Sequence, residues 1–277
     1  MSAAGGARSG RAGGAVRVPD ARVGDVRVAL HQVRYEQKAY WRNPMAAIFT
    51  FLFPIVFLVV VGTSAGASRV PGYTLRYDQY VVVAMLTFGL IAACYTNLAM
   101  TVCTRRETGV LKRMRDTPIT IGSYLAGLIG SVLIVVAILT VLVVAIGMAF
   151  YHLHFPYHPG AVLVTLLVGI VTFCSLGLAV TVLVPNADAA PAIVNGLYFP
   201  VVFISGVFYP LAQGSVLARI ADVFPIFHMI RALVSAFEGG PGSGLRVGDL
   251  LVMLAWAVGA LMVTSRRFRW EPRRPKA

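Results

Sequence analysis

The fold is decided by one charged stretch, Arg105-Arg106-Glu107-Thr108-Gly109-Val110-Leu111-Lys112-Arg113-Met114-Arg115-Asp116-Thr117-Pro118. It is the most charged run outside the chain ends, and long apolar segments lie on both sides of it. Charges between two such segments must lie in water beside a membrane, and the cations predict the cytoplasmic side. We expect a cytoplasmic loop that receives force from a partner. A positively charged loop without a partner is the alternative.

The composition is that of a polytopic membrane protein. Hydrophobic residues make up 58% of the 277 residues and charged residues only 13%, a more apolar balance than soluble domains show. The net charge of +13 comes mainly from the N-terminal arm, the charged stretch and the C-terminal tail. Because nucleic-acid binding requires a basic folded face, this distribution argues against a nucleic-acid partner.

The apolar segments predict an all-α membrane domain over residues 24–265. A basic arm at 1–23 is predicted to be disordered, and residues 24–42 to form an amphipathic helix at the membrane interface. Six predicted transmembrane helices follow, each long enough to cross a hydrocarbon core of about 30 Å. They lie near 45–63, 78–103, 120–151, 160–184, 189–209 and 247–265, and a basic tail follows at 266–277.

Local signals predict how several of these helices begin and bend. Asn43-Pro44 has the pattern of an N-cap followed by proline at the first helical position. Asp78 and Asp188 are predicted N-caps of the second and fifth spans. Pro54 should kink the first span and Pro200 the fifth.

The distribution of cations predicts the orientation. Most of the 24 Lys and Arg residues lie within residues 1–42, in the charged stretch and in the tail. The others are Arg69, Arg76, Arg219, Arg231 and Arg246. This bias predicts that both termini are cytoplasmic, in a multi-pass protein of the cell membrane.

Residues 210–246 are too apolar for a solvated loop, yet Asp222, Pro225 and Arg231 interrupt them. Non-helical backbone at membrane depth needs cover from protein or a cavity. We therefore expect two short re-entrant or interfacial helices, broken at Pro225, before the last span. The alternative is a seventh span, which would place the basic C-terminus outside.

Polar side chains in the second and fifth spans predict a substrate path. They are Tyr95, Asn97, Asn195 and Tyr198. Polar groups at membrane depth tend to face a cavity, and hydrogen bonding between helices is the alternative. Because no acidic or basic residue lies deep in a predicted span, an ion-coupled carrier is disfavoured.

Neither a metal site nor a catalytic site is indicated. The cysteines lie in or at the ends of apolar runs without zinc-site spacing. His152, His154 and His158 lack carboxylates nearby, so an aromatic–histidine belt at the interface is favoured, and His228 is read in the same way.

The residues of the charged stretch also predict its local structure. Gly109 can end the extension of the second span. Residues 110–115 can then form a short helix. Leu111 and Met114 would form its apolar side, which could enter a groove on the partner. Lys112 and Arg113 would face acidic rims or headgroups.

The run Arg106-Glu107-Thr108-Gly109-Val110-Leu111-Lys112-Arg113-Met114, with Thr117-Pro118, resembles the cytoplasmic signature of ABC-2 type permeases. That signature reads roughly Arg-Glu-x-Gly-Thr-Leu-x-x-Leu-x-x-Thr-Pro. The run looks most like the drug-export branch, to which daunorubicin and doxorubicin exporters belong. It departs at Val110, where Thr is usual, and at Met114, where Leu is usual. The resemblance covers nearly all of residues 25–265.

The resemblance implies a permease subunit that works as a homodimer above two cytoplasmic ATP-binding subunits, which hold ATP and Mg. The sequence agrees, because no GxxxxGK[ST] loop occurs in it. The implied function is export of a hydrophobic or amphipathic, drug- or antibiotic-like compound. Export of a lipid or lipid-linked glycan is an alternative, and so is a non-transport membrane anchor.

The resemblance also implies roles for particular residues. The loop and the amphipathic helix would contact the ATP-binding subunits, and the second and fifth spans would line the path. The implied coupling residues are Arg106, Glu107, Gly109, Leu111, Lys112, Arg113, Met114 and Pro118.

Overall fold

The part of the chain that the structure describes is almost entirely helical. The structure is a computed structural model, and it describes residues 21–65, 69–70, 73–110, 121–212, 214–239 and 242–267. Within these ranges the extended structure is an isolated antiparallel bridge between Arg69 and Arg76. The predicted coupling residues Leu111, Lys112, Arg113, Met114 and Pro118 lie outside the described residues, as do 1–20 and 268–277.

Eleven helices can be traced through the described residues. They are α1 (Ala21–Trp41), α2 (Pro44–Ala47), α3 (Phe53–Ala65), α4 (Tyr77–Ile91), α5 (Asn97–Glu107), α6 (Ile121–Tyr151), α7 (Pro159–Val180), α8 (Ala190–Ile204), α9 (Val216–Ala221), α10 (Pro225–Phe237) and α11 (Val247–Arg267). One π-helical turn, Ile48–Leu52, joins α2 to α3, and another, Ala92–Thr96, joins α4 to α5.

The first helix, α1, packs along the N-terminal half of α6. The side-chain amide of Gln37 donates to the Ser131 carbonyl at 2.7 Å and to its hydroxyl at 3.0 Å. Gly130 permits this close approach, since a Cβ atom there would lie 2.7 Å from a Val33 methyl group. A helix therefore covers the predicted 24–42 region, while its amphipathic character and its place at the interface stay predictions.

Within the described residues, five helical stretches are long and apolar enough to cross a membrane: Pro44–Ser64, Tyr77–Glu107, Ala126–Tyr151, Pro159–Val180 and Val247–Arg267. In the most apolar window of Tyr77–Glu107, 83% of residues are buried, against 22% for Pro44–Ser64. The second span is therefore the central helix of the bundle.

The fifth predicted span, 189–209, is shorter in the structure than expected. Helix α8 has 15 residues, or about 22 Å at 1.5 Å per residue, and the chain turns after Ile204. Gly206 adopts a left-handed φ of +82° in that turn, and its carbonyl accepts a hydrogen bond from the Tyr80 hydroxyl at 2.6 Å. The six-span count stays a prediction.

Some predicted helix starts are confirmed and others are wrong. Asn43 caps α2, because its side-chain oxygen accepts from the Ala46 N–H at 3.3 Å. Asp78 instead lies in the first turn of α4, where it accepts from Arg76 at 2.6 Å. Asp188 is not the cap of α8: residue Ala189 occupies that position, and its N–H donates to the Asn186 side chain at 2.9 Å.

One of the two predicted proline kinks corresponds to an irregular position, and a kink at Pro200 stays a prediction. The π-helical turn Ile48–Leu52 lies directly before Pro54. Proline has no N–H to donate to the carbonyl of Thr50, four residues earlier, and a π-helical turn accommodates that missing bond. Pro200 lies inside α8.

The segment before the last span forms the two short helices that were predicted. Ser215 caps α9 through the Ala218 N–H at 3.1 Å, and Pro225 begins α10. Helix α10 is mostly buried against α4, α7 and α11. Their re-entrant or interfacial position stays a prediction.

Candidate functional site

The end of α5 forms a junction with the first helix. The guanidinium of Arg105 binds both carboxylate oxygens of Glu36, at 2.7 and 2.6 Å. The same guanidinium donates to the Tyr124 hydroxyl at 3.0 Å. The two charged side chains are 15% and 5% exposed. This arrangement joins α1, α5 and α6, and the two-point geometry fixes the orientation of α1.

Arg106 ties the same helix end to the turn between α7 and α8. Its side chain is buried and donates to the carbonyls of Thr181, at 3.0 Å, and Val184, at 2.5 Å. Thr181 is the C-cap of α7, where backbone carbonyls lack helical partners. A cation there satisfies these groups and complements the helix dipole.

Glu107 and Gly109 complete the junction. The exposed Glu107 carboxylate accepts from the Ala187 N–H, in the same turn that Arg106 binds. Helix α5 ends at Glu107, and Gly109 follows with a left-handed φ of +70°. Gly109 therefore ends the second span as predicted, because glycine adopts this conformation without strain.

The predicted path residues separate into two groups. The Tyr95 hydroxyl donates to the Val194 carbonyl at 3.2 Å, and the Tyr95 and Tyr198 rings are 5.7 Å apart. The Tyr198 hydroxyl is buried without a hydrogen-bond partner among the described residues. Asn97 and Asn195 are each partly exposed and lie outside the lining of the cavity that the two tyrosines share.

That cavity has a volume of about 350 Å³ and lies between the second span and helices α7, α8, α10 and α11. Its walls are almost wholly apolar and include four aromatic rings besides Tyr95: Phe173, Tyr198, Phe224 and Trp256. Pro225, the predicted break, also lines it, and Arg267 lies at its edge. Sequence reasoning did not find Phe173 or Trp256, since an aromatic residue in an apolar helix gives no signal of its own.

A charged cluster around the buried side chains of His228 and Asp249 joins α10 to the start of α11. His228 is 4% exposed, and its Nδ1 lies 2.6 Å from Asp249 Oδ1. Its Nε2 lies 2.8 Å from the Asp222 carbonyl. Arg246 binds the second oxygen of Asp249 at 2.5 Å, and Arg231 binds the Asp222 carboxylate at 2.8 Å.

The placement of His228 in an interfacial belt was therefore wrong. Burial alone would lower the pKa of His228, but its bonds to Asp249 and to the Asp222 carbonyl raise that pKa above the usual value. The sequence did hold a signal, because Asp222, Arg231 and Asp249 are rare charges within apolar stretches. Among the described residues, no group of His, Cys, Asp and Glu has an arrangement suited to a metal ion.

A family model for the ABC-2 type transporter matches residues 31–237. The chain belongs to the ABC-2 type transporter family. No curated protein gave a match. As an ABC-2 family member, the chain is a multi-pass membrane component of an ABC transporter, and this membership implies pairing with an ATP-binding subunit. The matched range runs from α1 to the last residue of α10 and includes both the junction and the two path tyrosines.

Proposed function

We propose that this ABC-2 permease exports a hydrophobic or amphipathic compound, working as a homodimer above two cytoplasmic ATP-binding subunits. The apolar cavity lined by Tyr95 and Tyr198 is the observation that carries this proposal. Small-molecule sites are concave and mostly apolar with a few polar groups. Here the two tyrosine hydroxyls are those polar groups.

The cavity volume supports a drug-like cargo. Drug-sized ligands occupy pockets of roughly 300–1,000 Å³, and this cavity of about 350 Å³ lies at the lower end of that range. A compact apolar molecule fits such a volume, while a lipid-linked glycan is much larger. The drug-export reading is therefore preferred to the lipid-linked alternative.

The junction supplies a route by which force would reach the cavity. An ATP-binding subunit that pushes on α1 or on the end of α5 would move two linked elements. Arg105 ties these helices together through Glu36, and Arg106 and Glu107 tie α5 to the turn at 181–187. That turn leads into α8, which carries Tyr198, so displacement of the junction would move both path-lining helices.

The arginines at the junction end of the molecule indicate how the chain is oriented in the membrane. Arg105 and Arg106 lie at the end of the second span, and Arg266 and Arg267 lie at the end of α11. Cations gather on the cytoplasmic side of membrane helices. We therefore place the junction and both termini in the cytoplasm of the cell membrane.

The test is purification of the tagged full chain from its host in detergent, followed by assay of ATPase activity and transport in liposomes. We expect an ATP-binding subunit to co-purify and the Glu107→Ala variant to hydrolyse ATP with transport reduced about tenfold or more, as loss of a charge-assisted bond permits. Asp188→Ala is the control, since it removes an exposed carboxylate from the same turn. Purification of the chain without an ATPase would overturn the proposal, and equal losses in both variants would contradict the role of the Glu107–Ala187 contact.

A further inference from the structure

A second cavity lies at the opposite end of the second span from the Arg105 junction. Its volume is about 480 Å³. Tyr73, which lies just before α4, forms one side, and α9 and α10 form another. Three arginines line it, Arg219, Arg231 and Arg246. This cavity is polar, unlike the path cavity, and belongs to a different group of elements.

The carboxylates around this cavity already have partners within the chain. Glu238 accepts from both the N–H and the hydroxyl of Thr74, at 2.5 and 3.0 Å. Asp222 is bound by Arg231 at 2.8 Å. Asp249, behind the cavity, accepts from Arg246 and contacts His228. Asp222 and Asp249 are therefore paired with arginines, while Glu238 keeps its charge and is held against Thr74 by neutral donors.

Arg219 and Arg246 have guanidinium N–H groups that no described residue accepts from. Arg219 is exposed, and its guanidinium makes no hydrogen bond or ion pair with any residue the structure describes. Arg246 uses only its Nε atom toward the described residues. A guanidinium carries five N–H donors in a planar fork that fits carboxylate and phosphate oxygens. The cavity thus offers unfilled donors to a ligand that brings acceptor oxygens.

Exposed apolar side chains lie on, and directly after, the short helix that carries Arg219. Val216 and Ile220 on α9 are 73% and 46% exposed, and Val223 after it is 59% exposed. The Phe227 ring forms part of the cavity wall and lies under the Arg231 guanidinium at 5.3 Å. A ligand seated on the arginines would therefore lay an apolar portion along α9.

We propose that this cavity binds the phosphate or carboxylate head of an amphipathic molecule, with Arg219 and Arg246 holding the head and α9 contacting the apolar part. The site lies beyond the export path proposed above and does not depend on an ATPase. The anionic head could come from a membrane phospholipid or from a soluble amphiphile such as a cargo molecule. Both sources share the same recognition chemistry, and the test separates them.

The test is native mass spectrometry of the purified full chain in dodecyl maltoside, which is uncharged. Dodecyl phosphate and dioleoyl phosphatidylglycerol are titrated separately. Binding of phosphatidylglycerol alone would identify a bilayer phospholipid as the ligand, and comparable binding of dodecyl phosphate would identify a soluble anionic amphiphile. We expect Arg219→Gln to weaken whichever probe binds by about tenfold, the effect of losing a charge-assisted hydrogen bond.

Arg69→Gln is the matched control, because it removes an exposed cation that precedes the second span and lies outside the cavity. It should leave both affinities within about twofold, as expected for a screened, distant surface charge. Failure of both probes to bind, unchanged affinity in Arg219→Gln, or an equal loss in Arg69→Gln would each overturn the site. Because the readout is binding, these results do not bear on ATP-driven export.

Discussion

Arg105 and Glu36 form a two-point ion pair between the first helix and the end of the second span, with N–O distances of 2.7 and 2.6 Å. They are 69 residues apart in the sequence. Gln32 also donates to Glu36 at 2.7 Å, and Tyr124 accepts from Arg105. The pair is therefore the centre of a small polar network that fixes α1 against the membrane helices.

Glu36→Gln should destabilise the protein, because it leaves the Arg105 charge mostly buried without a counter-charge. Removing one partner of a buried pair costs about 3 kcal/mol, which corresponds to a fall in apparent Tm of roughly 6–12 °C for a chain of this size. Differential scanning fluorimetry in detergent measures the change. Arg34→Gln, at an exposed position on the same helix, should leave the Tm nearly unchanged. An unchanged Tm for Glu36→Gln would show that the pair contributes nothing to holding α1.

Gly177→Ala should destabilise the π-helical turn in the second span. An added Cβ would lie 2.8 Å from the Tyr95 carbonyl oxygen and 3.0 Å from that of Cys94. Because backbone atoms must then shift, we expect a loss of about 2 kcal/mol, in the range of overpacking substitutions. Gly160→Ala in the same helix meets open space and should gain up to about 1 kcal/mol. Equal apparent Tm values for the two variants would contradict the close packing of α7 on this turn.

The sequence predicted features that neighbouring residues decide. The Asn43 cap depends on a side-chain bond three residues away, and the end of α5 depends on the left-handed φ that Gly109 adopts. The break at Pro225 follows from the missing N–H of proline. These elements were predictable because their causes are local.

Features that depend on distant contacts were not predictable. Nothing in the sequence Ala92–Thr96 indicates a π-helical turn. The turn lies where Gly177, from another helix, approaches the backbone closely. His228 and Asp249 lie 21 residues apart and meet only because α10 packs on α11. Charge patterning marked Arg106 as a surface cation, but it could not show that the side chain binds carbonyls 75 and 78 residues away.

The His228 cluster should make stability depend on pH. The folded-state pKa of His228 is raised by Asp249 and by the Asp222 carbonyl, against the effect of burial, while the unfolded value is about 6.5. The charged imidazole therefore contributes stability that is fully present below about pH 6.5 and is lost as pH rises through the higher folded-state pKa. The groups facing it are Asp222, Asp249, Arg231 and Arg246.

The measurement is the apparent Tm between pH 5.5 and pH 9, compared with that of His228→Gln. The advantage of the wild type over the variant should be largest at low pH and shrink as pH rises. His31→Gln, at an exposed histidine in α1, should show no such trend. A constant difference between wild type and His228→Gln across this range would contradict a charged imidazole in the folded state.

Tyr95 and Tyr198 should respond oppositely to loss of their hydroxyl groups. Tyr95→Phe removes the hydrogen bond to the Val194 carbonyl and should cost about 1 kcal/mol. The Tyr198 hydroxyl is buried without a partner among the described residues, so Tyr198→Phe removes an unsatisfied polar group and should raise stability by about 1 kcal/mol. Apparent Tm in one detergent compares the two variants.

Transport separates a binding role of the Tyr198 hydroxyl from a purely structural one. In a binding role, that hydroxyl donates a hydrogen bond to an oxygen of the cargo. Tyr198→Phe should then slow export of compounds that carry a carbonyl or ether oxygen by about fivefold or more, the effect of losing one neutral hydrogen bond. Purely hydrocarbon compounds should be exported at the wild-type rate, because the rings and the apolar walls remain. A loss of stability in Tyr198→Phe as large as that in Tyr95→Phe would mean that the folded protein already satisfies this hydroxyl, and equal export of both compound classes would remove it from cargo recognition.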